Sequence, residues 1–192
     1  TVIFTNLSRD HIDYHGNMEN YGETKAKLFL ERQSKIKIIN IDDSFGRSLI
    51  ERVDEEVIST SVEPINIEAD KFISVTNYEI NGSGFDIDLK SSWGAFRAHI
   101  PLIGTFNIEN VIQTIALFLS HGFSFSKIQK IIEGMKAPSG RMESVDVGNT
   151  HLLPKVLVDF SHTPDALKRS LQSIRNHYDG KIWCVFGCGG DR

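Results

Sequence analysis

The sequence predicts an α/β protein in two units, residues 1–137 and 138–192. Three observations predict it. An apolar run at 2–4 and an isoleucine-rich strand pattern at 35–41 flank a stretch with helical spacing, the alternation expected of strands feeding helices. Residues 71–100 break into short polar–apolar alternations around Asn81-Gly-Ser-Gly84, the mark of antiparallel hairpins. Beyond Ala137-Pro-Ser-Gly140, a linker by composition, a strand–helix–strand pattern returns.

The elements follow in order. Residues 1–5 read as a strand. Residues 19–33 read as a helix with Tyr21, Ala26 and Leu28 facing inward. Lys35–Ile41 is a strand rich in isoleucine. Ser44 caps a helix running to about Val53. After the hairpins, Pro101 ends the run. Thr105 or Asn107 starts a buried helix carrying Ile108, Val111, Ile112, Ile115, Leu117 and Phe118, closed near Gly122. Ser124 or Ser126 caps a second helix to about Gly134. Strands at 142–147 and 155–160, a helix at 164–177 and a strand at 181–186 form an expected βαβ unit with parallel pairing.

Composition excludes several classes. With 192 residues and 40% hydrophobic content, the chain can bury a real core. A net charge of −4 gives no general attraction to nucleic acid. Two cysteines, Cys184 and Cys188, make no disulfide framework and no zinc knuckle; they read as buried thiols in a reducing, cytoplasmic setting. No run approaches the roughly 18 apolar residues of a membrane helix. The chain starts at Thr1 rather than Met and stops at Asp191-Arg192, which reads as a slice of a larger protein. It contains no Gly-x-x-x-x-Gly-Lys-[Ser/Thr] phosphate loop.

Five stretches carry chemistry. In Thr5-Asn-Leu-Ser-Arg-Asp-His-Ile-Asp-Tyr-His15, a strand end opens into Asp10, His11, Asp13 and His15, hard ligands suited to magnesium beside a phosphate, or simply an ordinary polar turn. Tyr21-Gly-Glu-Thr-Lys25 continues it; by itself Lys25 is a solvated helix lysine. In Gly104-Thr-Phe-Asn107-Ile-Glu-Asn110, two amides three apart can meet an adenine edge or serve as an N-cap and a solvated residue. In Pro138-Ser-Gly-Arg141-Met-Glu143, the arginine fork suits phosphate but equally a surface turn. In Val156-Leu-Val-Asp159-Phe-Ser-His162-Thr-Pro164-Asp165, Asp159 at a strand end is placed for ribose hydroxyls. Pro164 opens a helix with Asp165 as its cap; His162 is either near the nucleotide or structural. In Trp183-Cys-Val-Phe-Gly187-Cys-Gly-Gly190-Asp-Arg192, glycines let backbone approach a ligand.

In order and spacing, these stretches resemble the Mur ligases, ATP-dependent enzymes that add amino acids to the cell-wall precursor peptide. The match covers residues 1–33, 104–122 and 137–192; the segment 40–100 matches only in its strand pattern. The chain departs from the family at Phe160 and Ser161, where Tyr and Ala are usual. The resemblance implies the rear part of the central ATP-binding domain followed by the start of a Rossmann-like C-terminal domain. It implies an amide ligase acting through an acyl phosphate. The reaction adds the third amino acid, meso-diaminopimelate ahead of L-lysine, to UDP-N-acetylmuramoyl-L-alanyl-D-glutamate in peptidoglycan synthesis. By the same resemblance, His11 and Lys25, the latter carbamylated by carbon dioxide, serve two magnesium ions. Asn110, with Asn107 in support, meets adenine. Arg141 contacts ATP, Asp159 its ribose, and Arg192 the incoming amino acid. The parent is expected to be a monomer with no membrane insertion. The alternatives are a folylpolyglutamate synthetase-like member of the superfamily, or a non-catalytic nucleotide-binding piece, since the phosphate loop is missing.

Overall fold

The computed structural model describes residues 1–9, 12–31, 34–65, 71–145 and 153–187. The first half runs β1 (Val2–Phe4), α1 (Ile12–His15), α2 (Met18–Leu30), β2 (Lys37–Asn40), α3 (Ser44–Ile50), β3 (Val57–Ser61) and β4 (Lys71–Asn81). It continues through β5 (Gly84–Ser91), β6 (Gly94–Ile100), α4 (Phe106–Ser120) and α5 (Phe125–Glu133). Beyond the linker lie β7 (Glu143–Val145), β8 (Val156–Val158) and α6 (Pro164–His177).

Strands β1 to β6 form one sheet in sequence order. The first four are parallel, with Ile38 opposite Ile3 and Ile58 and with Ile58 opposite Lys71. From β4 onward the pairing is antiparallel, with Tyr78 opposite Ile87 and Phe85 opposite Ile100. Side chains alternate across a strand. Ile38 therefore enters one core with Ile73, Ile87, Ile108, Ile112 and Ile115, under α4 and α5. Its neighbour Ile39 enters the other, with Phe4, Ala26, Phe29 and Leu49, under α2 and α3. Helices thus cover both faces of the parallel half, which is why the adjacent Ile38 and Ile39 of β2 are both buried.

Several expectations are corrected. Helix α2 starts at Met18, with Asn17 as N-cap accepting from the Asn20 amide at 2.8 Å. Its buried residues are Gly22, Ala26 and Phe29, spaced by three and four, whereas Leu28 lies 52% exposed on the far face. Asp43, not Ser44, caps α3, which ends at Ile50. Thr163, not Asp165, caps α6: its hydroxyl accepts from the Ala166 amide. Strand β3 went unforeseen because Val-Ile-Ser-Thr-Ser is largely polar; it is buried throughout, with Ser61 donating to Asp42 and Thr60 to the Ile39 carbonyl.

The expected βαβ unit is absent among the described residues. Strand β8 pairs antiparallel with β7, and residues 181–187 form no strand. Strand propensity is realised only through a ladder and a covered face. Trp183 and Val185 have neither, being 88% and 98% exposed, and Cys184 is exposed rather than buried. Cys188 lies outside the described residues.

These packing differences predict contrasting substitutions. Ile115→Ala, at a fully buried site, is expected to cost about 2–5 kcal/mol, and Leu28→Ala less than about 0.5 kcal/mol. Urea unfolding followed by circular dichroism measures both; equal midpoints for the two variants would contradict the assigned helix face.

Candidate functional site

Parallel strands deliver their C-terminal ends to the same edge of the sheet. Here β1 opens into residues 5–9 and β2 into residues 40–43. Together with Glu109 of α4 and the start of α6 they line a cleft of about 910 Å³. Asn40 sits at the corner: its Nδ2 donates to the Thr5 carbonyl at 2.8 Å and its Oδ1 accepts from the Asp42 amide at 3.0 Å. Asp43 ties three segments with one carboxylate. Its Oδ1 accepts from Phe45 N (2.8 Å) and Gly46 N (3.2 Å), and its Oδ2 from Leu7 N (2.9 Å). Helix α3 packs so closely on the end of β2 that a Cβ at Gly46 would fall 1.9 Å from the Asn40 carbonyl oxygen. Asp42 accepts from Ser61 Oγ at 2.5 Å and Val62 N at 2.7 Å, which joins the end of β3 to the same corner.

The cleft wall carries acids and bases. Asp42, Asp43 and Glu109 face Arg9 and Arg169. Burial pushes the Glu109 carboxyl above the ordinary glutamate range, and the negative charge of Asp42 adds to it. Arg169 pulls the other way, and Asp43 pushes it up further. His162, Thr163 and Pro164 close the cleft from the second unit.

Of the residues singled out from the sequence, His162 and Pro164 line this cleft, whereas Lys25, Asn107, Asn110, Arg141 and Asp159 do not. Lys25 Nζ donates to the Asn6 carbonyl at 3.2 Å and lies 5.0 Å from the Tyr21 ring centroid; among the described residues it has no carboxylate partner. His15 stacks on Tyr21 at 4.7 Å, and no group of three potential metal ligands occurs among the described residues. His11, Asp10 and Arg192 lie outside them. Asn110 is exposed and donates to Asn107 Oδ1 at 3.3 Å, while Asn107 Nδ2 donates to the Ile103 carbonyl at 2.8 Å. Asn107 is therefore not an N-cap; the N-cap position is Thr105, whose side chain makes no capping bond.

Arg141 and Asp159 come together across the linker. The Arg141 guanidinium lies 5.0 Å from the Phe160 ring centroid. Asp159 Oδ1 accepts from Met142 N at 3.0 Å; its Oδ2 accepts from Ser161 N at 3.2 Å, Ser170 Oγ at 2.9 Å and Ser161 Oγ. Burial alone would raise this carboxyl. The bonds from Ser161, Ser170 and Met142 outweigh it and hold Asp159 below the ordinary aspartate range.

Two family models match the chain. A model of the Mur ligase middle domain matches residues 1–118, and one of the Mur ligase glutamate ligase domain matches residues 140–192. The chain belongs to the Mur ligase family. A UDP-N-acetylmuramoyl-L-alanyl-D-glutamate–2,6-diaminopimelate ligase of Haemophilus influenzae is 39% identical over 191 residues, covering 100% of this chain and 38% of the relative. A solved structure of a ligase of that name superposes with a TM-score of 0.76 at 32% identity, over 99% of this chain and 38% of that one. MurF from Acinetobacter baumannii superposes with a TM-score of 0.75 at 17% identity, over 92% of this chain and 37% of that one, and shows the fold alone. The chain thus spans about two fifths of the length of these Mur ligases.

Asp42, Asp43, Glu109 and Arg169 were not singled out from sequence. The string Asn40-Ile-Asp-Asp43, a strand end followed by a helix start, carried a readable signal of the same kind as residues 5–15. Glu109 stood inside a quoted motif without an assigned part, and only the fold turns it into the cleft. Arg169 had no local signal.

The two shifted carboxyls predict opposite pH behaviour. Asp159 has a folded value below its unfolded one, so its contribution is complete above the ordinary aspartate value and is lost as pH falls through the folded value. Wild-type stability should therefore fall more steeply than that of Asp159→Asn between about pH 5 and pH 2. Glu109 has a folded value above its unfolded one, so its charge costs stability as pH rises through that value. Glu109→Gln should melt at or above the wild-type temperature at neutral pH, with the difference shrinking in acid. Thermal melts across pH read both, and a Glu109→Gln variant that melts below the wild type at neutral pH would contradict the second.

Proposed function

We propose that this chain is the metal- and nucleotide-facing part of an ATP-dependent ligase. The reaction joins the amine of meso-diaminopimelate, ahead of L-lysine, to UDP-N-acetylmuramoyl-L-alanyl-D-glutamate through an acyl phosphate. The observation that carries this reading is 39% identity along the whole chain to ligases of that printed name. The boundary at 137/138, a cytoplasmic monomeric parent and its part in peptidoglycan synthesis belong to the same reading. No helix among the described residues is long and apolar enough to cross a membrane.

In this reading His11 and Lys25 serve the magnesium ions, with Lys25 as a carbamate. The geometry around Lys25 fits: its ammonium contacts a backbone carbonyl beside the cleft and leaves the amine uncommitted to a carboxylate among the described residues. A carbamate would supply the hard, anionic oxygens that a dication needs and an ammonium cannot. Asn110 and Asn107 take the adenine, Arg141 the phosphates, Asp159 the ribose and Arg192 the incoming amino acid. For Asp159 the ribose must share a carboxylate that already accepts four bonds, which assigns it a second duty in holding the linker. A piece that binds nucleotide without turnover is the second reading, favoured by the missing phosphate loop.

The test is product formation. A polypeptide that joins this chain to a phosphate-loop segment should convert the UDP-muramyl dipeptide to the tripeptide with ATP, magnesium and meso-diaminopimelate. The 192 residues alone should release no phosphate. Lys25→Ala should lower turnover by about 100-fold or more, and 13C-labelled bicarbonate should give a carbamate signal that this variant lacks. Full turnover by Lys25→Ala would remove the lysine from the reaction. Refusal of both diamino acids would remove the substrate assignment.

A further inference from the structure

We propose that His177, the last residue of α6, is a positioning residue. It locks the second unit onto the segment that leads into α4, the helix that carries Asn107 and Asn110, and it does so in one imidazole tautomer. This rests on the reading that Asn110 meets the nucleotide base.

His177 is 8% exposed and bridges two segments far from it in sequence. Its Nδ1 lies 2.9 Å from the carbonyl oxygen of Asn81, at the end of β4. Its Nε2 lies 3.2 Å from the amide nitrogen of Gly104, just before α4. A carbonyl can only accept, so Nδ1 carries the proton. A backbone amide can only donate, so Nε2 is bare. The two contacts demand the same neutral tautomer, and the ring is seated edge-on against Phe85 at 4.7 Å.

The Asn81 side is a prepared post. Asn81 Oδ1 accepts from Ser83 N and Ser83 Oγ, and its Nδ2 donates to Asp86. The next carbonyl, that of Gly82, accepts from Tyr178 Oη at 3.0 Å and Lys155 Nζ at 3.2 Å, both from the second unit. The Gly104 side leads into the first turn of α4. Gly104 has φ +99°, and its carbonyl accepts from Asn107 N at 2.9 Å. Asn107 in turn accepts from Asn110. An unbroken series of hydrogen bonds therefore runs from His177 through Gly104 and Asn107 to Asn110. The opposite end of α6 lines the cleft. One helix, α6, thus registers the cleft wall and the first turn of α4 against each other.

The experiment uses the 192-residue chain. In the wild type, 15N NMR of the imidazole should report a protonated Nδ1 and a bare Nε2, and the Gly104 amide should exchange slowly. His177→Phe keeps the ring packing and removes both bonds; His177→Gln keeps a donor and an acceptor. Gly104 protection should drop at least about ten-fold in His177→Phe and recover in His177→Gln. The Kd for magnesium–ATP should move in parallel while the α4 amides hold. A protonated Nε2 in the wild type overturns the proposal whatever the variants do, as does equal Gly104 exchange in the Phe and Gln variants. If no ATP binding occurs even in the wild type, the nucleotide reading and with it the functional part of this proposal fall; the tautomer and exchange results then still decide the lock itself.

Discussion

Burial of β2 between two parallel neighbours is the constraint on which the rest depends. Its four residues are all buried, and they pair with β1 on one side and β3 on the other. Parallel neighbours cannot be joined by a tight turn, so the chain must cross over each time. Those crossovers supply α2 and α3 on one face. The same parallelism sends residues 5–9, 40–43 and 61–62 to one edge. The cleft is a consequence of strand direction before any side chain is considered. Asp43 then converts proximity into a fixed corner by holding Leu7, Phe45 and Gly46 with a single carboxylate.

The linker shows a similar economy. Met142 has φ +51°, a conformation that costs a non-glycine residue about 1–2 kcal/mol. Its side chain is 1% exposed, and burial of that size returns about 1.5–3 kcal/mol. Its amide bond to Asp159 adds to the favourable side. The balance therefore favours the strained backbone. Glu143 steadies the preceding turn by accepting from Gly140 N and Ser139 Oγ. The segment joining the two units is thus a specified structure rather than a slack tether, and Arg141 is aimed by it.

Charge in the cleft carries a local cost at Glu109. Asp42, Asp43 and Glu109 stand together, and burial with like charge pushes Glu109 up. Arg169 offsets this only in part. Local costs of this kind gather where proteins bind and react. The contrast with Asp159 is instructive, because there hydrogen bonds outweigh burial and keep the carboxylate charged.

Much of the fold was legible in the chain itself. Period-two alternation placed β4, β5 and β6, and the spacing of Ile108, Val111, Ile112 and Ile115 placed the buried face of α4. Motif order placed the family, and those signals are local. What local pattern could not supply was partnership. Ser-Thr-Ser in β3 is a strand because β2 and β4 bury it. Trp183–Phe186 is not one, because no described strand pairs with it. Cys184 is exposed for the same reason. Asp42, Arg169 and His177 gained their places only when distant segments met, His177 and Gly104 lying 73 positions apart in sequence. Side-chain period is written along the chain. Which strand finds a ladder, and which carboxylate or imidazole finds a partner, is decided only by the closing of the tertiary structure.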